Sequence, residues 1–334
     1  MILFKRSFYF FLVVFLLPFI NIVGQEAHYS QFYANPIYLN PAFVGTANCA
    51  RVSVNFRDQW PSIPGNFISF SGSYDQHIDI LHGGIGVLFS GDIAGGGILQ
   101  TYNASVIYNY RVQASKQFQM QFALQAGYMA TTFGWDRIKF ASELLNASSP
   151  SVLPTEYQSS NFSQFDASFG FLGYTPYLYF GLAIHHLIPM KKNFFFLTAD
   201  SWKPKWTAHI GGKIKITEKM RREVNFGDIS LHPNLIFISQ GNFHFLHEGF
   251  YFKFYPFTIG TWLRHNFKNF DAVIVTCGIE YKNFKIGYSY DFNLTKLERT
   301  GGSHEVSLQY IFPCKPKGKK PPSKRYTPIE CPKF

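Results

Sequence analysis

The stretch Gln117–Ala130, QFQMQFALQAGYMA, sets Phe118, Met120, Phe122, Leu124, Ala126, Tyr128 and Ala130 against Gln119, Gln121, Ala123, Gln125 and Gly127. A period of two is the signature of a strand. Strands of soluble domains run to about five or six residues, whereas a tilted strand crossing a bilayer needs roughly nine to eleven. This stretch is long enough to cross. One face is apolar and aromatic and the other carries uncharged amides and glycine. Because an unsatisfied polar group in hydrocarbon costs several kcal/mol, the Phe118–Ala130 face is expected to meet lipid and the glutamines a lumen. Taken alone, the same stretch also suits a soluble sandwich, so the rest of the chain decides.

Working outward, the 334 residues are 46% hydrophobic with 38 Phe and 20 Tyr, yet only 15% charged. An ordinary soluble domain carries about 25% charge. Aromatic girdles and a low-charge lipid face account for both departures. The mean hydropathy of −0.04 excludes a bundle of membrane helices, which needs several runs of about twenty apolar residues. The nearest approach is at the start: Lys5 and Arg6, an apolar run from Phe8 to Val23, then Gly24. Residues 1–24 therefore read as a secretory signal, with an uncleaved anchor as the alternative.

Residues 25–50 are rich in Asn, Pro and Tyr and lack sustained periodicity. The steps Asn35-Pro36 and Asn40-Pro41 push the preceding residue out of helical space. Phe32, Tyr33, Tyr38, Leu39 and Phe43 are too many apolar residues for a free tail. We expect this segment to fold against the lumen mouth as a periplasmic plug or collar. Alternation begins at Arg51 and recurs through Phe312, giving about fourteen strands in residues 51–312. The fold class is all-β, a transmembrane antiparallel β-barrel. Such barrels have short periplasmic turns and longer outer loops, and the two longest connections, near 132–161 and 188–204, fall on one side if the N-terminus is periplasmic. A connection near 218–231 is longer than that rule favours. Residues 313–334 carry seven Lys or Arg against one Glu, a basic tail expected in the periplasm, solvated or docked on an anionic partner or surface.

An exported protein meets an oxidising compartment. Cys277 lies on the apolar side of a strand with Val273, Val275, Ile279 and Tyr281 and is expected to be a free, lipid-facing thiol. Cys314 and Cys331 flank the tail and are the preferred disulfide candidates, with Cys49 as the competing partner, since spacing alone does not choose. No pair has the Cys/His spacing of a zinc site, and calcium loops are absent. The strand histidines His185, His186, His209, His244 and His247 come with neither a GxSxG elbow nor an HExxH pair. Gly95-Gly96-Gly97 lacks the Gly-Lys-Ser/Thr of a P-loop. We therefore expect no catalytic, metal or cofactor site, and no nucleic-acid partner, because the basic tail is exported. Trp135, Phe194, Phe195, Phe196 and Trp202, in the two long loops, are candidate partner anchors, with membership of the aromatic girdle as the alternative.

The segment HYSQFYANPIYLNPAFVGT, followed by NFRDQWP at 55–61, resembles the start of the PorP/SprF family of type IX secretion system membrane proteins of Bacteroidota, and the ending HEVSLQYIFPCKPK with IECPKF is similar to that family as well. The matching positions are Ser30, Gln31, Phe32, Tyr33, Asn35, Pro36, Asn40, Pro41, Ala42, Phe43 and Gly45. Loop lengths with an even strand count put both termini in the periplasm, and the resemblance implies a non-enzymatic outer-membrane barrel. It would be surrounded by outer-membrane lipid and work with type IX secretion components on export or attachment of a secreted surface adhesin bearing a type-B C-terminal domain, in many members for gliding. The alternative from another class is an outer-membrane channel or transporter for small solutes.

Overall fold

The computed structural model describes residues 26, 28–47, 49–137, 161–192, 200–216, 229–295 and 300–313. The proposed signal, the anchors Phe194–Phe196 and the tail beyond Pro313 lie outside them. Among the described residues no helix is long and apolar enough to cross a membrane.

The strands are β1 (Arg51–Gln59), β2 (Phe67–Ile78), β3 (Gly83–Ala94), β4 (Leu99–Gln113), β5 (Gln119–Phe133), β6 (Asn161–Tyr174), β7 (Leu178–His185), β8 (Met190–Lys192), β9 (Asp200–Trp202), β10 (Lys205–Gly212), β11 (Ile214–Lys215), β12 (Ile229–Gln240), β13 (Phe243–Phe254), β14 (Phe257–His265), β15 (Phe270–Tyr281), β16 (Phe284–Asn293) and β17 (Ser303–Ile311). Fourteen of them form a closed antiparallel barrel. Each pairs with its neighbour in sequence, β7 with β10 and β10 with β12, and β1 closes on β17 with Arg51 opposite Ile311. Closure leaves no edge to be satisfied by water, the condition for crossing a bilayer with strands. The two-residue β11 continues the line of β10 and pairs with β12, while β8 and β9 form a separate hairpin. What reads in the sequence as one long loop over 188–204 thus contains that hairpin.

The period of two places side chains as the opening stretch predicts. Gln119, Gln121 and Gln125 are buried within the barrel, and Phe122, Leu124 and Tyr128 are exposed on its outer surface. Ser69, Ser71, Ser73 and Asp75 of β2, and Ser303, Glu305, Ser307 and Gln309 of β17, face inward in the same way. The short connections, such as Tyr255-Pro256 and Lys282-Asn283, lie at the end where β1 begins and β17 finishes. The opposite, long-loop end holds the connections after β5 and β7. Cys277 is free and exposed on the outer face. Cys49 is disulfide-bonded. Cys314 and Cys331 themselves lie outside the described residues.

Candidate functional site in the barrel lumen

A barrel of this strand number would enclose a water-filled hole if side chains of the wall alone had to fill it. Here the N-terminal segment occupies the lumen. Tyr29, Phe32, Tyr33, Ile37, Leu39, Ala42, Phe43 and Val44 are buried, and Tyr38 is half-buried. Asn-Pro pairs shape the segment locally. Pro36 starts a one-turn helix, α1 (Pro36–Leu39), and Pro41 starts a 3-10 turn, Pro41–Phe43. Proline suits a first helical position because it gives up only an N–H that has no partner there. Asn40 joins the two turns and caps the second, its Oδ1 accepting from Ala42 N at 2.9 Å.

Three sets of wall contacts hold the segment. Toward the short-turn end, Gly45 N donates to Asp75 Oδ2 at 2.7 Å, and Asp75 is paired with Arg51 at 2.8 Å. Asn109 Nδ2 donates to Val44 O at 2.5 Å, and Arg111 Nη2 to Gly45 O at 2.6 Å. Gly45 has φ +73°, and a Cβ there would lie 2.9 Å from the Gly84 backbone, so the turn closes on the wall only with glycine. At mid-barrel, Asn40 Nδ2 donates to Phe171 O at 2.9 Å and lies 3.1 Å from His209 Nε2. Phe43 stacks on His209 at 5.3 Å between ring centroids. Gly170 leaves the space that Asn40 and Pro41 take. Tyr33 and Tyr179 meet Asn234 through their hydroxyls.

The third set lies in the long-loop half. Ser30 N and Gln31 N donate to the two oxygens of Glu305 at 2.6 and 3.1 Å, and Ser30 Oγ donates to Asp291 Oδ2 at 2.7 Å. Arg57 pairs with Asp291 at 2.8 Å and with Glu305 at 3.3 Å, and Arg264 with Asp291 at 3.1 Å. All four wall side chains are buried. In so dry a place charges must be paired and hydrogen-bonded, and here the segment itself supplies part of the pairing. Phe32 packs beside Trp262 and His247. Farther out, Glu26 pairs with Lys205 at 2.7 Å and lies 3.2 Å from His186, which in turn sits 2.9 Å from Asp166.

Lys205, His186 and Gln240 are all at the long-loop end, and Glu26 N donates to Gln240 Oε1 at 3.3 Å. The segment therefore runs the length of the lumen, from Glu26 at the long-loop end to Arg51 at the short-turn end. The segment expected as a plug or collar at the lumen mouth thus lies within the lumen itself. The wall carboxylates that Ser30, Gln31 and Gly45 seek lie at different depths, so the chain is drawn through. Ser30, Gln31, Phe32, Tyr33, Asn35, Asn40, Pro41, Ala42, Phe43 and Gly45 all come together here, Asn35 through a 2.6 Å bond to Ser71 and Pro36 as the buried start of α1.

Of the candidate anchors of the loops, Trp135 and Trp202 fall within the described residues. Trp135 begins a 3-10 turn, Trp135–Arg137, and is buried with its ring 4.6 Å from that of Phe133. Trp202 ends β9 opposite Met190. Phe194, Phe195 and Phe196 lie outside the described residues. The sequence reading missed the wall partners Arg57, Asp75, Arg264, Asp291 and Glu305. Their signal was a charge at an inward register position, but nothing local tells which charges meet, Arg264 and Asp291 across 27 residues and Arg57 and Glu305 across 248. Among the described residues no group of three or more His, Cys, Asp or Glu is placed to hold a metal ion.

A sequence model of the family described as type IX secretion system membrane protein PorP/SprF matches residues 22–310. No curated protein matches the sequence. Among solved structures the chain is similar to the Ralstonia pickettii toluene transporter TbuX, at 11% identity over 83% of this chain and 93% of that one with a TM-score of 0.48. It is also similar to a Pseudomonas aeruginosa FadL homologue, at 11% identity over 82% and 93% with a TM-score of 0.45. At these values the likeness carries no argument about function.

Proposed function

Because the chain belongs to the PorP/SprF family of type IX secretion system membrane proteins, we propose that it is a non-enzymatic outer-membrane component of that machinery. In this role it supports export and surface attachment of adhesins with type-B C-terminal domains, and through them gliding. The observation that carries this reading is the lumen. A barrel whose interior is occupied along its length by its own N-terminal segment, held at three depths, offers its ends and outer wall to partners rather than a passage to solutes. The same observation disfavours the small-solute channel, which needs that segment to leave.

Loop lengths support an orientation with the long-loop end outside and the short turns in the periplasm. The basic residues 313–334 then follow β17 into the periplasm and face anionic parts of the machinery or the cell wall. In this orientation Glu26 lies at the outer end of the lumen.

The test is to cross-link native outer membranes, recover the tagged protein and identify what accompanies it. Recovery of a large surface protein through its C-terminal domain, together with secretion components, is the expected result. Recovery of the barrel alone, with measurable conductance, refutes the reading.

A further inference from the structure

On the inner face of β15 and β16 the period of two sets facing residues in successive rows. Thr276 stands opposite Ser289, then Gly278 opposite Gly287, then Glu280 opposite Lys285. The middle row has no side chains, so it leaves a gap between a row of hydroxyls and an ion pair. The gap is a cavity of about 100 Å³, room for about three waters, bordered by Gln31, Tyr33 and Ala34 of the N-terminal segment. With side chains missing at the two glycines its floor is the strands themselves, Cys277, Ile279 and Ile286 included. It lies in the short-turn half of the lumen, where β15 ends and β16 begins.

Two features of this cavity point to a ligand. Thr276 lines it and is 5% exposed, yet its hydroxyl has no hydrogen-bond partner among the described residues, and a buried hydroxyl left unpaired is unfavourable. The rim is cationic. Glu280 lies 2.6 Å from Lys253 and 3.5 Å from Lys285, so two ammonium groups share one carboxylate. Lys213 adds to the field, acting with Lys253 and Lys285 on the ring of His232. A small anion with one charge complements this arrangement, because the lysines attract it while Glu280 repels a second negative charge. A carboxylate has two acceptor oxygens, which suits a site with a hydroxyl on one side of the glycine row and an ammonium on the other.

We propose that this cavity binds a carboxylate, one oxygen accepting from the Thr276 hydroxyl and the other from the Lys285 ammonium. The carboxylate belongs either to a free small acid or to an Asp or Glu side chain of a protein segment entering the short-turn end of the lumen. A lipid headgroup is not the occupant, because Thr276, Gly278, Glu280, Lys285 and Gly287 hold inward positions and the wall separates them from the bilayer. A second folded copy does not fit inside the lumen. The chain's own tail, with seven Lys or Arg against one Glu, carries the wrong charge. The inference depends neither on what the machinery exports nor on the orientation in the membrane.

The experiment uses the folded full chain in detergent, with acetate and the capped tripeptides Gly-Glu-Gly and Gly-Gln-Gly as probes and saturation-transfer NMR as the readout. Saturable transfer is expected to acetate or Gly-Glu-Gly and none to Gly-Gln-Gly, and the tighter of the two binders tells a free acid from a protein side chain. Thr276→Val removes a hydroxyl that has no bond to lose, and Lys285→Met leaves Glu280 its Lys253. Each is expected to weaken binding at least tenfold. Gly278→Val is expected to abolish it by filling the cavity, since a Cβ there meets its nearest atom, Ile286 O, at 3.2 Å. Heat-modifiable mobility confirms folding of each variant, and Thr276→Val keeps the test open if the bulkier change does not fold. No saturable transfer to either carboxylate, equal binding of Gly-Gln-Gly, displacement by equimolar chloride, or undiminished binding in Thr276→Val and Lys285→Met overturns the proposal.

Discussion

Replacing Glu305 by Gln tests whether the lumen is closed by the contacts described. The Glu305 carboxylate is fully buried and accepts Ser30 N at 2.6 Å, Gln31 N at 3.1 Å and Arg57 Nη1 at 3.3 Å. In Glu305→Gln one oxygen becomes an amide that can only donate, so one of the two backbone N–H groups loses its acceptor. That costs about 1–3 kcal/mol. The remaining bond changes from charge-assisted to neutral, which costs about 1 kcal/mol more. Arg57 keeps Asp291 at 2.8 Å, so no buried charge is left alone and the larger penalty of a broken buried pair does not arise. The sum, about 2–4 kcal/mol, falls on the docked state of residues 26–31 and shifts its equilibrium about 30- to 1,000-fold toward release. The barrel wall should not suffer, because β17 is held to β1 and β16 by its backbone ladder. The assay pairs single-channel conductance with protease cleavage of the N-terminal segment, using heat-modifiable mobility as the folding control. Flickering or open conductance and faster cleavage are expected. A folded Glu305→Gln barrel as closed and as resistant as the parent would refute the assignment of this contact as a latch.

Two further outcomes follow from particular residues. Gly45→Ala places a Cβ against Gly84 at a left-handed φ and should destabilise the protein by about 1–3 kcal/mol, read as a lower midpoint of unfolding in detergent; an unchanged midpoint would show that the turn relaxes freely. In membranes Cys277 should react with a lipid-soluble maleimide and resist a water-soluble one, while Cys49 should stay silent until reduction, both read by mass spectrometry. Labelling of Cys49 without reductant would contradict its bridge.

The barrel was legible in the sequence because strand period, strand length and the polarity of each face are local properties. Gln117–Ala130 declares its inner and outer faces without help from any other residue, and the strand number follows from repeating that reading. The Asn-Pro steps and the excess of aromatics in residues 25–50 likewise announce a segment that something must bury. Its path was not legible. Ser30 meets Glu305 and Asp291, Asn40 meets the wall at Phe171, and Gly45 meets Asp75 only because closure of β1 on β17 carries residues far apart in sequence to one lumen. Periodicity is written into neighbouring residues, whereas the pairing of buried charges and the shape of a surface belong to the closed barrel.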